Sequence, residues 1–304
     1  MLVPTRHSAA ALKDHSFPSI SKEHSMKIGV SAFAWTTQFG PSHLSIMPRL
    51  KEHGIDGFEI PMFDPAKLDA TEIRQTAEAN ELECTVCAIL PQNLSPISNE
   101  RAIRRQAHEH LLRCIETTRD MGAHLLGGPL FAPIGLLPGR RRNPDEWNWA
   151  VEEFQSLSHL LETYEVTLSL EPVNRSETFF IRTAAEGKAF CEAIHHPRIG
   201  VTVDTFHANI EEKNTAEAIR SLGHLLKHVH LSENDRGLLG SGHIDFPAII
   251  SSLRETHYES YLMIEGFGYS EDETNVLGRL WADRHVTPED IAFCGLSFLR
   301  KLLG

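Results

Sequence analysis

The chain has 304 residues, 41% of them apolar and 23% charged, enough to bury one large core or two ordinary ones while staying soluble. Lys and Arg number 29 against 41 Asp and Glu, and the formal charge of −12 argues against a nucleic-acid or anionic-membrane partner, either of which would want a basic face. No apolar run approaches the roughly 18 residues of a membrane-spanning helix, so no membrane partner is expected either.

In chain order, residues 1–25 (MLVPTRHSAAALKDHSFPSISKEHS) lack the apolar stretch of a secretory signal. They are read as a disordered extension ahead of a single domain spanning 26–304. From Met26 onward, short apolar runs alternate with longer amphipathic ones. KIGVSAFAW (27–35), GFEI (57–60), LECTVCAIL (82–90) and HLLGG (124–128) read as strands. VTLSLEP (166–172), IGVTVDT (199–205), HVHLS (228–232) and YLMIEGF (261–267) bring the count to eight. Between them HLSIMPRLKEHG carries Leu44, Met47 and Leu50 on one helical face with Gly54 as a stop. The stretches at 101–122 and 147–165 are longer helices of the same kind. Eight apolar strands, each followed by a helix, predict an α/β fold of (β/α)8 TIM-barrel type. An open doubly wound sheet is the runner-up, but no GxGxxG follows the first strand. The CxxC at Cys84 and Cys87 falls inside a strand, where i and i+3 face opposite sides, so it is not read as a redox or metal pair. Five cysteines without a pairing pattern suit a reducing cytoplasm.

Four of these strands end in ionisable side chains: Glu171, Asp204, His230 and Glu265. Charge at the end of an apolar run is costly, and in a barrel these ends converge on the catalytic face. Any one alone has an ordinary reading, Asp204 as a helix cap or Glu171 and Glu265 as ion-paired strand ends. Together, three carboxylates would repel one another, and a divalent cation resolves the conflict. Their oxygen and nitrogen donors suit Mn²⁺, Mg²⁺ or Co²⁺. His228 shares a strand face with His230 but lies one layer deeper, where it is expected to fill the barrel core.

The runs EPVNRSET (171–178), VDTFHANIEE (203–212), HVHLSENDRGLLGSGHIDF (228–246) and IEGF (264–267) resemble the D-tagatose 3-epimerase (ketose 3-epimerase) family of xylose-isomerase-like barrels. LWADRHVTPEDIAFCGLSFLR (280–300) is similar to that family's closing helix. The resemblance implies a metal-dependent isomerase that inverts C3 of 2-ketoses through a cis-enediolate, and free ketoses are expected because GGPLFAPIG (127–135) shows no phosphate-cradling turn before a helix. It makes Glu171, Asp204, His230 and Glu265 the ligands of one divalent ion, Mn²⁺ first, and Glu171 and Glu265 also the acid/base pair. It makes Glu177, His207 and Arg236 substrate-binding, and it implies a dimer or tetramer. Arg236 is expected on an exposed loop, with Asp235 as a rival ion-pair partner and Gly237, Gly240 and Gly242 shaping the turns. An aldose–ketose or hydroxypyruvate-type isomerase on the same metal remains the alternative. An abasic-site endonuclease, which would want more strand-end histidines and a basic groove, and a non-catalytic sugar-binding barrel rank lower.

Overall fold

Strands rich in Val, Ile and Leu and flanked by helices have both faces to cover, and a closed parallel barrel achieves that without leaving an edge. The computed structural model describes residues 26–268, 283 and 285–304 and has this form. Its strands are β1 (Lys27–Ser31), β2 (Gly57–Met62), β3 (Glu83–Ala88), β4 (Leu125–Gly128), β5 (Thr167–Leu170), β6 (Ile199–Asp204), β7 (Leu226–Leu231) and β8 (Tyr261–Ile264). Each pairs in parallel with the next, and β8 closes on β1 through Ile28↔Leu262 and Val30↔Ile264. The extension expected over residues 1–25 lies outside the described residues.

The helices are α1 (Ile46–Glu52), α2 (Ala70–Ala79), α3 (Arg101–Asp120), α4 (Pro144–Ser156) and α5 (Ser158–Tyr164). They continue as α6 (Ala184–Ile194), α7 (Thr205–Glu211), α8 (Thr215–Leu222), α9 (Phe246–Glu255) and α10 (Pro288–Leu303). None is long and apolar enough to cross a membrane. The closing helix runs from Pro288, and residues 280–282 and 284 of the run that announced it lie outside the described residues. Thr287 caps it by accepting from the Asp290 amide at 3.1 Å, while the Asp290 carboxylate accepts from the Thr287 amide at 3.0 Å.

Six strands are shorter than the apolar runs that announce them, while β2 and β7 each extend beyond theirs. Ala32–Ala34 turn off β1 as a 3₁₀ segment capped by Ser31, so the run 27–35 is strand only in its first half. Outward-facing Val30, Phe58, Ile60, Leu126, Leu168, Val229 and Ile264 are buried against the helices in one continuous core. The inward face is unusually polar. Glu59, Thr85, Ser169, Thr202 and His228 are all buried there, and Ser169 and Thr202 join hydroxyl to hydroxyl at 2.6 Å. A buried polar layer must be hydrogen-bonded to be tolerated, and here it forms the floor beneath the carboxyl ends of the strands. Cys84 and Cys87 are both free thiols within β3, as the strand reading required.

Candidate active site

Alternation along a strand fixes which residues reach the mouth of the barrel. Asp204 ends β6 and pairs in register with His230 on β7, so the two stand side by side. Glu171 and Glu265 each lie one residue beyond their strands, β5 and β8. Their backbone amides are still tied to the barrel, Glu171 to the Gly128 carbonyl at 3.1 Å and Glu265 to the Leu231 carbonyl at 3.0 Å. All four side chains are buried, none more than 4% exposed.

One donor atom each from Glu171, Asp204 and His230 lies within 4.8 Å of the others. His230 Nδ1 stands 3.6 Å from Glu171 Oε1 and 3.8 Å from Glu265 Oε1, and neither nitrogen of the ring makes a hydrogen bond, although Nε2 lies against Glu59 on the side away from the site. A buried ring nitrogen aimed between two carboxylates and left without a bond is an atom in want of a cation. The three oxygen donors and one imidazole nitrogen fit a hard or borderline divalent ion. Asp204 serves two ends at once. Its Oδ1 accepts from the Phe206 amide at 2.7 Å and caps α7, and its Oδ2 faces the site. The cap reading and the ligand reading of this residue are therefore compatible.

Arg236 departs from expectation. It is buried, 7% exposed, and its Nη1 donates to Asp204 Oδ2 at 2.6 Å, to Ser232 Oγ at 2.8 Å and to Glu265 Oε2. Its partners across the site are these two carboxylates, and its guanidinium also lies over the rings of Phe206 and Phe267, at 4.1 and 5.2 Å. The reason is the loop. Arg236 itself takes the left-handed conformation, φ +62°, which turns its side chain inward. The loop closes around Glu233, a fully buried carboxylate whose oxygens accept from the amides of Asn234 (3.2 Å), Gly240 (2.9 Å) and Ile244 (3.1 Å). Gly240 has φ +80°, whereas Gly242 is needed for room, since a Cβ there would come 2.4 Å from Glu233 Oε1.

His207, on α7, is also buried. Its Nδ1 accepts from the Asn174 amide at 3.2 Å and faces Asn174 Nδ2 at 2.9 Å, so in the neutral ring the proton sits on Nε2. Burial holds its pKa down at about 4, against the pull of Asp204, and the ring is neutral near pH 7. Nε2 meets Arg236 Nη2 at 3.1 Å, a direct contact between two nitrogens whose N–H groups can both turn to an oxygen ligand beside them. Asn174 Nδ2 also donates to Glu177 at 3.1 Å, which brings Glu177 to the rim of the same pocket.

The electrostatics are under-compensated. Burial, helped by Asp204 and opposed by Arg236 and His230, pushes Glu265 up to about 8. Burial acts the same way on Asp204, but Arg236 and His207 outweigh it and hold that carboxyl well below its ordinary range. Arg236 and His230 together still face three buried carboxylates, fewer positive groups than negative ones. Apolar residues wall the pocket on its other side: Phe33, Cys87, Ile89, Ile134 and Phe267.

Three participants had gone unremarked in the sequence: Glu59, Asn174 and Glu233. Glu59 could have been found as the lone charge inside the apolar strand GFEIPM. A larger, open cavity of about 770 Å³ lies at the opposite, amino-terminal end of the barrel. There Glu83 is already engaged by Lys27 at 2.5 Å and by the Tyr261 hydroxyl, and no set of carboxylates and imidazoles gathers among the described residues.

The comparisons agree with this architecture. A family model described as xylose isomerase-like TIM barrel matches residues 47–302. The chain is 29% identical over 276 residues to a probable ketose 3-epimerase of Synechocystis sp., covering 91% of this chain and 96% of the relative. It is 32% identical over 280 residues to an L-ribulose 3-epimerase of Mesorhizobium japonicum, covering 89% and 94%. The solved D-allulose 3-epimerase from Methylomonas sp., in complex with D-allulose, superposes with a TM-score of 0.85 at 25% identity, covering 91% of this chain and 96% of that one.

Proposed function

The chain belongs to the xylose isomerase-like TIM barrel family, and from that premise we propose that it is a ketose 3-epimerase acting on free 2-ketoses. Two supports carry the reading: the naming of its relatives as ketose and L-ribulose 3-epimerases, and a pair of buried carboxylates, Glu171 and Glu265, facing one imidazole from two sides.

Glu171, Asp204, His230 and Glu265 would hold one divalent cation, Mn²⁺ in the first instance, which when bound supplies Lewis-acid polarisation of the ketose carbonyl. The protein's own groups do the rest. Inversion at C3 requires a proton removed on one face and another delivered on the opposite face. Glu171 and Glu265 come from β5 and β8, with β6 and β7 between them on that side of the barrel, and so approach a bound sugar from different directions. One carboxylate serves as base, and the other, once it carries a proton, serves as acid. Arg236 places a planar, permanently charged donor pair where negative charge develops on O2. The Nε2–H of His207 and the Glu177 carboxylate supply a donor and an acceptor for neighbouring hydroxyls. The apolar wall of Phe33 and Phe267 excludes water from the reacting carbon.

The deciding experiment is incubation with a panel of ketopentoses and ketohexoses in D₂O, with Mn²⁺ or with chelator, followed by NMR of the sugars. Epimerisation with solvent deuterium at C3, abolished by chelator, is the expected result. Deuterium at C1 or C2 with aldose product would make the protein an aldose–ketose isomerase. In Glu171→Gln or Glu265→Gln enzyme that retains Mn²⁺, epimerisation should fall to background, and near-normal turnover in either would remove the two-carboxylate assignment.

A further inference from the structure

Glu59 lies in the middle of β2, beneath the pocket and fully buried. Everything around its carboxylate is a donor. Thr85 Oγ1 donates to Oε2 at 3.2 Å, His228 Nε2 lies 2.9 Å from the same oxygen, and His230 Nε2 lies 3.0 Å from Oε1. The two imidazoles stand edge to face, their centroids 4.9 Å apart at 84°, so both can turn an Nε2 toward one carboxylate. On the far side of the His230 ring, Nδ1 opens into the cluster of Glu171 and Glu265.

An ionised carboxylate only accepts hydrogen bonds. Any imidazole nitrogen held against it must therefore carry a proton, and the opposite nitrogen of the same ring is then the one able to present a lone pair. We infer that Glu59 is a positioning residue that fixes the orientation and tautomer of His230, so that Nδ1 and not Nε2 is the atom offered to the catalytic cation. The inference rests on the metal reading proposed above and adds the residue that prepares one of its ligands. Carboxylates behind ligating histidines commonly act in this way, fixing the ring and raising its donor strength. His228 completes the arrangement from below. It shares Glu59 with His230, which keeps the carboxylate from turning away, and this accounts for two histidines at i and i+2 on one strand.

The alternative is that Glu59, His228 and His230 Nε2 themselves bind an ion, since their donor atoms also lie within 4.8 Å of one another. His228 Nε2 is hydrogen-bonded to Glu59 Oε2 at 2.9 Å and His230 Nε2 makes an ion-pair contact with Oε1 at 3.0 Å, separations that leave no room for an ion between these atoms.

Two measurements test the inference. In ¹⁵N-histidine-labelled wild type, recorded metal-free and loaded with diamagnetic Mg²⁺, the His230 ring should show a protonated Nε2 in both states and a bare Nδ1 in the loaded one. The opposite assignment overturns it. Calorimetric titration of Mn²⁺ into Glu59→Gln should show affinity weakened about 10- to 100-fold with the stoichiometry still one. Unchanged affinity in a folded variant overturns it, and so does the loss of a second Mn²⁺ equivalent present in the wild type. Should Glu59→Gln fail to fold, the wild-type spectrum decides. Should the wild type bind no Mn²⁺, the metal reading falls, while the metal-free spectrum still reports whether Glu59 holds the Nε2 proton.

Discussion

Arg236→Ala is the perturbation whose outcome depends most on the burial found here. At an exposed loop position the change would cost a few tenths of a kcal/mol. Here it strips the cation from two buried carboxylates. The Asp204 contact alone, at 2.6 Å, has a gross attraction of about 6 kcal/mol at an effective dielectric of 20. Much of that offsets the desolvation of the guanidinium, and breaking a buried pair by removing one partner costs about 3–5 kcal/mol net. For a domain of this size, about 2 °C of melting temperature per kcal/mol gives an expected fall of roughly 6–10 °C in the metal-free protein. With Mn²⁺ in excess the carboxylates have another partner, and the fall should shrink to about 3 °C or less.

The assay is thermal unfolding of wild type and variant, each in chelator and in Mn²⁺, so that the difference of differences isolates the charge term. Turnover is read in parallel, where kcat should fall about 10²- to 10³-fold if the guanidinium acts on charge developing in the transition state. Arg236→Lys should recover much of the stability and little of kcat, because an ammonium restores the charge without the planar fork. A metal-free Arg236→Ala protein melting within about 2 °C of wild type would refute the argument from buried charge.

Asp204→Asn should lose Mn²⁺ below a tenth of wild-type occupancy by elemental analysis yet keep its far-UV spectrum, because Asn caps a helix about as well as Asp; His230→Ala should lose the ion likewise. Full occupancy in both would remove these two residues from the ligand set. Glu233→Ala leaves three loop amides, those of Asn234, Gly240 and Ile244, without their acceptor, and unmet buried groups cost about 1–3 kcal/mol each. Limited proteolysis should then cut within 234–244 at least several-fold faster than in wild type, and an unchanged cleavage rate would show that the loop holds itself without Glu233.

What could be read in the sequence and what could not follow from the range over which each feature is decided. Alternation and strand length are local, so the eight strands and the four ionisable residues at their ends were legible from neighbours in the chain. So was the sharing of one face by His228 and His230, which the structure keeps as an edge-to-face pair. Strand ends were less legible, because Ala32–Ala34 are as apolar as β1 and turn only where Ser31 caps them. The burial of Arg236 was beyond reach. It depends on a left-handed residue, on a buried Glu233 that gathers amides from across the loop, and on Asp204 and Glu265, 32 positions before and 29 after it. Nor could the partner of Glu59 be named, since 169 residues separate it from His228. Only barrel closure brings β2 and β7 across from each other.

Glu59 was nonetheless open to notice, for a mid-strand carboxylate must find donors somewhere or unfold the strand that carries it. The same reasoning applies to Asp204, whose two oxygens answer to different ranges. Oδ1 serves the next turn of its own chain and Oδ2 serves a site assembled from β5, β7 and β8. A residue satisfied locally by one atom leaves the other aimed in a fixed direction. The α7 cap is thus a means of orientation as well as a helix start. Asp204→Ser, which keeps a capping oxygen and deletes the outward one, should therefore preserve the helix and remove the ion.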